Sequence, residues 1–448
     1  MDVLIKTFLL LLALLMFCVS MKYKLAILVF STICLSDVTV DFIPFGKSIY
    51  LLSNCFWLSE IHNFKKHIVK IKSTLVFRLM IMMIVSTIIL AVFSPHYHSI
   101  YDFIRLLIFE LFGKYFAIVY SFICISFSKD LRPIERIIYI GLILITLVGV
   151  SNYLAKQSFW INTLYPEGHG AIGADAYMYS DRFRVQSTFL NPFCYGYICL
   201  MLNLIFLYFY KIKRIKQNTF CIYMLMSIFG IFYCGCRTVI LVWLLGVFVF
   251  YINFISRKNF LKYLSVFVLS SIIIGILIVT TFPNLIESFI MALNTDTSSG
   301  GHGMGGSSIG MRLVQLAAVF SYLPGYWLFG RGKDFFGIDL GFSDPDNLSS
   351  LINEGLWGLE GVYLSLLLER GIVGFLFWII FYSSLIRYFY KKMNRYREES
   401  SLALSILISF VAYAMMTGEL DSVYPTLLFL GIIWRIVNLK RHVVINKI

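Results

Sequence analysis

Long apolar segments recur along almost the whole chain, and they constrain its fold more than any other feature. A helix that spans a lipid bilayer needs about 20 mostly apolar residues. Twelve segments of the 448-residue sequence fit this requirement: 25–43, 45–61, 75–94, 107–127, 134–154, 188–210, 219–235, 238–256, 263–282, 365–389, 400–417 and 421–437. The sequence therefore predicts an all-α fold, a polytopic membrane bundle of about 12 transmembrane helices.

The amino-acid composition excludes the two main alternatives, a water-soluble domain and a disordered chain. Hydrophobic residues make up 59% of the sequence and charged residues only 14%. A soluble domain carries roughly 25% charged residues, and an intrinsically disordered chain has low hydrophobicity. A membrane protein is the class that remains.

The nine cysteines give no sign of a disulfide framework or a metal centre. Only Cys234 and Cys236 lie close together in the sequence, and a C-x-C pair alone is typical of neither. We therefore interpret the thiols as buried or lipid-facing, and we predict no metal and no cofactor.

The first 20 residues are apolar and allow two interpretations. They form either a signal-type segment or a thirteenth membrane helix, and no clear cleavage site of small residues follows residues 1–20. Met21 is followed by Lys22 and Lys24 and resembles a natural start, so Met1 and Met21 are both candidate first residues. Twelve helices counted from Met21 place both chain ends on the same side of a membrane.

Most of the net charge of +14 lies in the connections between the predicted helices. The basic clusters alternate with the twelve segments, so all of them fall on one face, and an excess of Lys and Arg marks the cytoplasmic face. The clusters are Lys65–Lys72, Lys129–Arg136, Lys211–Lys216, Arg257–Lys262, Lys391–Arg397 and Arg435–Lys447. The positive charge thus indicates orientation, and nucleic acid is excluded as a partner.

The longest connection, 283–364, lies on the opposite, outer face. It contains a run rich in Gly and Ser, Ser298–Ser308, and continues at 311–330 with apolar residues at helical spacing. We predict a helix along the membrane surface there, within a large and partly helical loop. Residues 21–282 then hold helices 1–9, and residues 365–448 hold helices 10–12 and a cytoplasmic tail.

A few arginines lie on the outer face, where positive charge is disfavoured. Arg184 precedes the sixth predicted helix, Arg237 lies in the turn between the seventh and eighth, and Arg312 lies in the long loop. Each of them taken singly fits snorkelling to lipid phosphates or pairing with an outer acid. As a set they favour a pocket for a phosphate group, because a guanidinium makes bidentate bonds to phosphate oxygens and keeps its charge.

Three stretches around these arginines resemble the O-antigen ligase and polymerase superfamily. Arg184–Pro192 reads R-V-Q-S-T-F-L-N-P and is similar to the R-x-x-G-T-F-x-N-P of that family, with Ser187 in place of the glycine. Cys236–Thr238, which reads C-R-T, resembles the S-R-T turn of the family.

The third stretch resembles the end of the large periplasmic loop in that family. It runs from Arg312 through Trp327–Gly332 and Glu360–Leu364 to Glu369–Gly374, where G-I-V-G opens the tenth span. Twelve helices, with the large loop between the ninth and tenth, also match the family, so the resemblance covers about 25–437 in topology. It implies a GT-C-like membrane bundle in the bacterial cytoplasmic (inner) membrane, with the active site facing the periplasm.

One departure from the family pattern favours the polymerase branch. Ligases of the family resemble one another in carrying a His-Asn pair, and at the similar positions this chain has Glu360 and Gly361. The one histidine of the long loop, His302, lies within the Gly/Ser run, where nothing would hold it rigidly. An acidic residue at the position of Glu360 is more similar to the polymerases.

The resemblance implies a metal-independent, inverting glycosyltransferase that acts on glycans linked to undecaprenyl diphosphate. Arg184 and Arg237 would bind the diphosphate, Arg312 would bind the diphosphate or a sugar, and Glu360 would act as the general base. Tyr326–Trp327 fits an interfacial aromatic belt better than a platform for sugar rings.

Two other functions stay open at this point. A ligase would transfer the finished glycan from the lipid carrier to an acceptor and would use the same arginines. A lipid-linked oligosaccharide flippase or transporter would show inverted repeats and charges at midplane, and the sequence offers no repeat. For the polymerase, the expected partners are the lipid-linked glycans and the bilayer, with a chain-length regulator and a flippase as candidate protein partners.

Overall fold

The computed structural model describes residues 2–35, 48–61, 132–158, 178–179, 182–254, 308–332, 361–416 and 423–445, with scattered positions between them. These residues form eleven helices and one antiparallel hairpin whose two strands have two residues each, and in which Met178 pairs with Phe183. The elements are α1 (Asp2–Cys18), α2 (Met21–Cys34), α3 (Ser48–Glu60), α4 (Arg132–Ala155), β1 (Met178–Tyr179), β2 (Arg182–Phe183), α5 (Pro192–Lys211), α6 (Gln217–Tyr233), α7 (Arg237–Ile252), α8 (Ser308–Tyr322), α9 (Val362–Lys392), α10 (Arg397–Met416) and α11 (Val423–Ile445).

Four of the described helices, α4, α5, α9 and α10, are long and apolar enough to cross a membrane. Shorter apolar helices occur within α1, α6, α7 and α11. The helical class is confirmed, and these helices are those of a membrane protein. The total of about 12 spanning helices stays a prediction, because segments 107–127 and 263–282 fall wholly or almost wholly outside the described residues and segment 75–94 is described only at scattered positions.

The apolar segment at the beginning of the chain forms a helix of its own. α1 packs mainly on α3 and buries Leu9, Ala13 and Met16 on one face, while Leu11 and Leu14 are exposed. Such a helix fits both a thirteenth membrane helix and the apolar part of a signal-type segment, so both interpretations stand.

α5 is the central helix of the described structure. It packs on α4, α6, α7 and α10, and nearly all of its side chains are buried. Asn203 donates from Nδ2 to Ser227 Oγ on α6 (2.8 Å), and its Oδ1 accepts from Trp243 Nε1 on α7 (2.8 Å). One buried amide therefore ties three apolar helices together, as polar side chains do inside membrane bundles.

Small residues allow α7 and α10 to approach closely. Ser409 Oγ on α10 donates to the carbonyl of Val242 on α7 (3.3 Å). A Cβ added to Gly246, one turn further along α7, would collide with the same hydroxyl. This contact is typical of helix pairs that pack through small residues in membranes.

Basic residues from two of the clusters, and the acidic Glu135 within a third, come together at one end of the bundle. Arg214, after α5, pairs with Glu135 in the first turn of α4 (3.4 Å). The Lys211 ammonium lies 4.5 Å, and the Arg397 guanidinium 5.5 Å, from the ring centre of Phe254, which follows α7. The ends of α5 and α7 and the starts of α4 and α10 therefore meet at one end, which we call the basic end.

The predicted span 365–389 is not a single uninterrupted helix. α9 begins at Val362, and Gly371 interrupts it with φ 63° and ψ −169°. Glycine populates positive φ without the steric cost that a Cβ would bring. α9 therefore consists of a short first part, 362–370, and a long second part, 372–392.

Candidate functional site

Arg184 lies beside the turn that leads to Arg237. The Val185 N–H donates to the Tyr233 carbonyl (2.9 Å), which ties the segment before α5 to the end of α6. The Arg184 side chain passes over Gly235, where an added Cβ would lie 2.9 Å from Arg184 Cγ. Two residues later α7 begins at Arg237. The structure thus brings two of the three predicted phosphate-binding arginines into one neighbourhood, far along α5 from the basic end.

The turn between α6 and α7 contains a glycine between two buried cysteines. Gly235 has φ +68°, a conformation that favours glycine. Cys234 and Cys236 on either side are buried, and the Cys236 thiol donates to the Cys234 carbonyl (3.2 Å). Cys236 is the N-cap residue of α7 and makes no side-chain capping bond. Because a helix N-terminus carries positive partial charge, α7 adds to the positive potential of the two arginines.

Buried polar contacts hold the segment that precedes α5. Ser187 is fully buried, and its Oγ donates to the Ile145 carbonyl of α4 (2.5 Å), while its own carbonyl accepts from Asn152 Nδ2 (3.2 Å). Asn191 caps α5 by accepting from the Phe193 N–H (2.8 Å). Ser187 has φ +55°. Because glycine adopts a positive φ without steric cost, this conformation explains why the resembled motif has glycine at the position of Ser187.

Two further polar side chains of this segment did not enter the sequence analysis. Gln186 and Thr188 are both more than nine-tenths buried. Within the described part of the chain, Gln186 Oε1 and Thr188 Oγ1 have no hydrogen-bond partner. Buried polar atoms are normally paired, so these two atoms are unusual among the described residues. The polar triplet Q-S-T directly after Arg184 is the sequence signal that could have identified them.

Arg312, the third predicted arginine, lies on a different element from the other two. It is in the second turn of α8, where its Nη1 donates to Oε1 of the fully buried Gln315 (2.7 Å). α8 packs through Val319 and Leu323 on Leu368 in the first part of α9. Arg312 therefore belongs to a cap formed by α8 and the beginning of α9.

The two glycine-containing pieces of the third resembling stretch bind each other, a contact that we call the clasp. The N–H groups of Arg331 and Gly332 donate to the carbonyls of Leu368 and Glu369 (2.8 and 3.0 Å). In the other direction, the N–H groups of Ile372 and Val373 donate to the carbonyls of Trp327 and Leu328 (2.8 and 3.1 Å). Four backbone bonds thus fasten the turn after α8 to the interruption of α9.

The clasp depends on a close approach of two backbones. Gly330 and Gly371 have φ +75° and +63°. A Cβ on Gly330 would lie 2.5 Å from the Arg370 nitrogen, and a Cβ on Gly371 would lie 2.6 Å from the Gly330 nitrogen. Both glycines are therefore required by conformation and by space.

Arg331 has a structural role in the cap. Its Nε donates to the Tyr322 carbonyl at the end of α8 (2.7 Å). Its guanidinium lies 3.9 Å from the ring centre of Tyr326, a distance at which a cation binds an aromatic face. Arg331 therefore supports the fold of the cap.

Glu360, the predicted general base, lies outside the described residues, as does His302. The next residue along the chain, Gly361, is the N-cap residue of α9. In the sequence, Glu360 therefore directly precedes the N-cap residue of α9, and its role as the general base stays a prediction.

Among the described residues, no group of three His, Cys, Asp or Glu side chains could hold a metal ion. No protein-family model matches the chain, and no curated protein matches it either. The family resemblance therefore depends on the three motifs, on their order and on their places in the predicted topology.

Proposed function

We propose that this protein is an inverting membrane glycosyltransferase that joins lipid-linked oligosaccharide repeat units into a polysaccharide. The placement of Arg184 over the turn that leads to Arg237, at the beginning of α7, carries the proposal. Two guanidinium groups beside a helix N-terminus suit a dianionic ligand. An undecaprenyl diphosphate carrier is the dianionic group that the family resemblance implies.

In the proposed reaction, a hydroxyl at the non-reducing end of one repeat unit attacks the anomeric carbon of a second, lipid-linked glycan. The bond from that carbon to the diphosphate oxygen breaks, and the configuration inverts in this single displacement. Arg184 and Arg237 stabilise the negative charge that develops on the diphosphate. Glu360 accepts the hydroxyl proton, and Arg312 on the cap binds the diphosphate or a sugar.

The proposed setting is the outer, periplasmic face of the bacterial inner membrane, with about 12 spanning helices. The product is O-antigen, capsule or exopolysaccharide. A chain-length regulator and a flippase are the protein partners that such a reaction requires, because chains must end and repeat units must reach the outer face.

Complementation of a deletion strain tests this function. Arg184→Ala and Arg237→Ala should each abolish the polymer ladder on a gel, while the amount of protein in the membrane stays normal. Arg184→Lys should restore lengthening only in part, because an ammonium cannot make the paired bonds of a guanidinium. Arg214→Ala is the matched control, since Arg214 is exposed at the basic end and pairs with Glu135.

The outcomes separate the proposed function from its nearest alternative. Unchanged ladders in both Arg184→Ala and Arg237→Ala would refute a role for this site in lengthening. A deletion strain that still makes long lipid-linked polymer, but never transfers it to an acceptor, would assign the ligase reaction instead.

A further inference from the structure

The apolar face of α8 is only partly covered by the first part of α9, so it consists of a buried stripe and a neighbouring exposed stripe. One stripe is buried and faces the first part of α9 through Val319 and Leu323. The other consists of Leu313, Leu316 and Phe320, at a spacing of three and four residues, and it is exposed. At about 100° per residue, the centres of the two stripes lie roughly 70° apart on the helix, so they are neighbouring parts of one apolar face.

The exposed stripe continues beyond the end of α8. The Phe320 ring lies 5.7 Å from the Trp327 ring, centre to centre. Tyr326, Trp327 and Leu328 are themselves exposed, and Leu328 has 60% of its surface accessible. We call these side chains together with Leu313, Leu316 and Phe320 the apolar wedge. Contiguous exposed apolar surface of this kind marks an interaction site.

The apolar wedge is continuous with the exposed face of a helix that can cross a membrane. At the clasp, the carbonyls of Trp327 and Leu328 accept hydrogen bonds from the first residues after Gly371. From there the long second part of α9 exposes its own apolar side chains, namely Ile372, Leu376, Ile379 and Ile380. The wedge therefore begins where the membrane-crossing part of α9 begins.

The charges around the wedge complement a lipid surface. Residues 308–332 contain two arginines, Arg312 and Arg331, and no Asp, Glu or Lys. Tyr326 and Trp327 are the aromatic types that lie at headgroup level in membrane proteins, and an apolar helix face with nearby Arg is typical of helices in the plane of the interface. Cationic and amphipathic side chains thus border the apolar surface.

We propose that the apolar wedge is a membrane-seating surface, buried at the boundary between headgroups and acyl chains of the outer leaflet. Phospholipid covers this surface, and the clasp fixes the depth of the apolar wedge in the membrane relative to α9. One part of the apolar face of α8 then contacts α9 and the neighbouring part contacts lipid, which explains why the face is wider than its contact with α9. This role is independent of the proposed glycan chemistry, because it depends only on the cap and α9.

Residue-specific photocrosslinking tests the membrane seat. A photoreactive diazirine amino acid replaces Leu316 or Leu328 in the full-length protein, reconstituted in nanodiscs of phosphatidylethanolamine and phosphatidylglycerol. After illumination, mass spectrometry should find phospholipid adducts at both positions, as abundant as at Ile379 on the exposed face of α9. Val319, on the buried stripe of the same helix, is the matched control and should give no lipid adduct.

Two results would overturn the proposal. One is an absence of lipid adducts at both wedge positions while Ile379 gives them. The other is a protein adduct at Leu316 or Leu328 when the same illumination is applied to native membranes, since the wedge would then be a protein docking surface. Quenching of tryptophan fluorescence by brominated phospholipids supplies a second measurement. The difference in fluorescence between the wild type and Trp327→Phe is the emission of Trp327, and brominated lipid should quench it. If brominated lipid leaves this emission unchanged, the membrane seat is contradicted.

Discussion

Ser187 lies at a position where the backbone and the side chain favour different residues. Its φ of +55° favours glycine, and the left-handed conformation costs another residue roughly 1–2 kcal/mol. Its hydroxyl, however, donates to the Ile145 carbonyl and so joins the segment before α5 to α4. A buried hydrogen bond of this kind contributes about 1 kcal/mol. The two effects nearly cancel, so serine can replace the glycine of the resembled motif.

This balance gives an expected order of stabilities for variants of Ser187. Ser187→Gly loses the hydroxyl bond and relieves the backbone strain, so its free energy of unfolding should stay within about 1 kcal/mol of the wild type. Ser187→Ala loses the bond and keeps the strain, and should be less stable than Ser187→Gly. Thermal unfolding in detergent measures the order, and an alanine variant more stable than the glycine variant would contradict the account.

Gly235 is expected to position Arg184. In Gly235→Ala, the new Cβ would lie 2.9 Å from Arg184 Cγ, and the φ of +68° would be strained. The Arg184 side chain must then move away from the turn before Arg237, so glycan lengthening should fall more than protein abundance does. Because Arg184→Ala should already stop lengthening, thermal stability is the measurement in that background, where Gly235→Ala should cost less because the Arg184 side chain is absent. An equal loss of stability in both backgrounds would show that Gly235 acts through the fold alone.

At the scale of whole elements, helical periodicity predicted most of the described helices but not the interruption of α9. The spacing of apolar residues identifies the five helices α4 to α8, because each of these helices is continuous. Gly371 follows Glu369 and Arg370 in a run that is otherwise mostly apolar, and glycine within a helix does not by itself indicate a break. The break is made by the carbonyls of Trp327 and Leu328, about forty residues earlier in the chain, and no local pattern reports such a partner. The same limit applies to Arg184, whose nearness to Arg237 depends on one backbone bond to Tyr233.

The clasp can be tested with three glycines that share a positive φ. Gly330→Ala should strain the backbone and also push apart two chains in direct contact, at a cost of about 1–3 kcal/mol beyond the strain. Gly325→Ala is the matched control, since Gly325 has φ +83° but nothing within 4 Å of an added Cβ. Gly371→Ala should resemble Gly330→Ala, and the double variant should be less than additive because both lose the same contact.

Proteolysis in detergent provides the measurement for these variants. Opening of the clasp should make the turn at 326–332 accessible, so cleavage there should be faster in Gly330→Ala and Gly371→Ala than in Gly325→Ala. Equal cleavage in all three variants would mean that backbone strain, and not the close approach, determines the stability of the cap.

On the scale of the molecule, positive charge occurs at both ends of α5 but in different forms. At the basic end, Arg214 pairs with a carboxylate, and Lys211 and Arg397 lie over an aromatic ring. At the other end, Arg184 lies over a glycine turn next to a helix N-terminus, 5.9 Å from the ring centre of Phe193 and near two buried polar atoms without a hydrogen-bond partner among the described residues. The first arrangement includes a carboxylate, whereas the second includes the positive partial charge of a helix N-terminus.

This difference between the two ends makes the orientation of α5 in the membrane the decisive property of the whole molecule. Because excess Lys and Arg stays in the cytoplasm, reporter fusions after Lys213 and after Lys391 should fluoresce as cytoplasmic fusions to green fluorescent protein. Fusions to alkaline phosphatase after Gly235 and after Gly325 should be active, since that enzyme matures only outside the cytoplasm. The reverse pattern would place Arg184 and Arg237 on the cytoplasmic face, where no diphosphate-linked repeat unit awaits lengthening, and would exclude the proposed reaction along with the orientation.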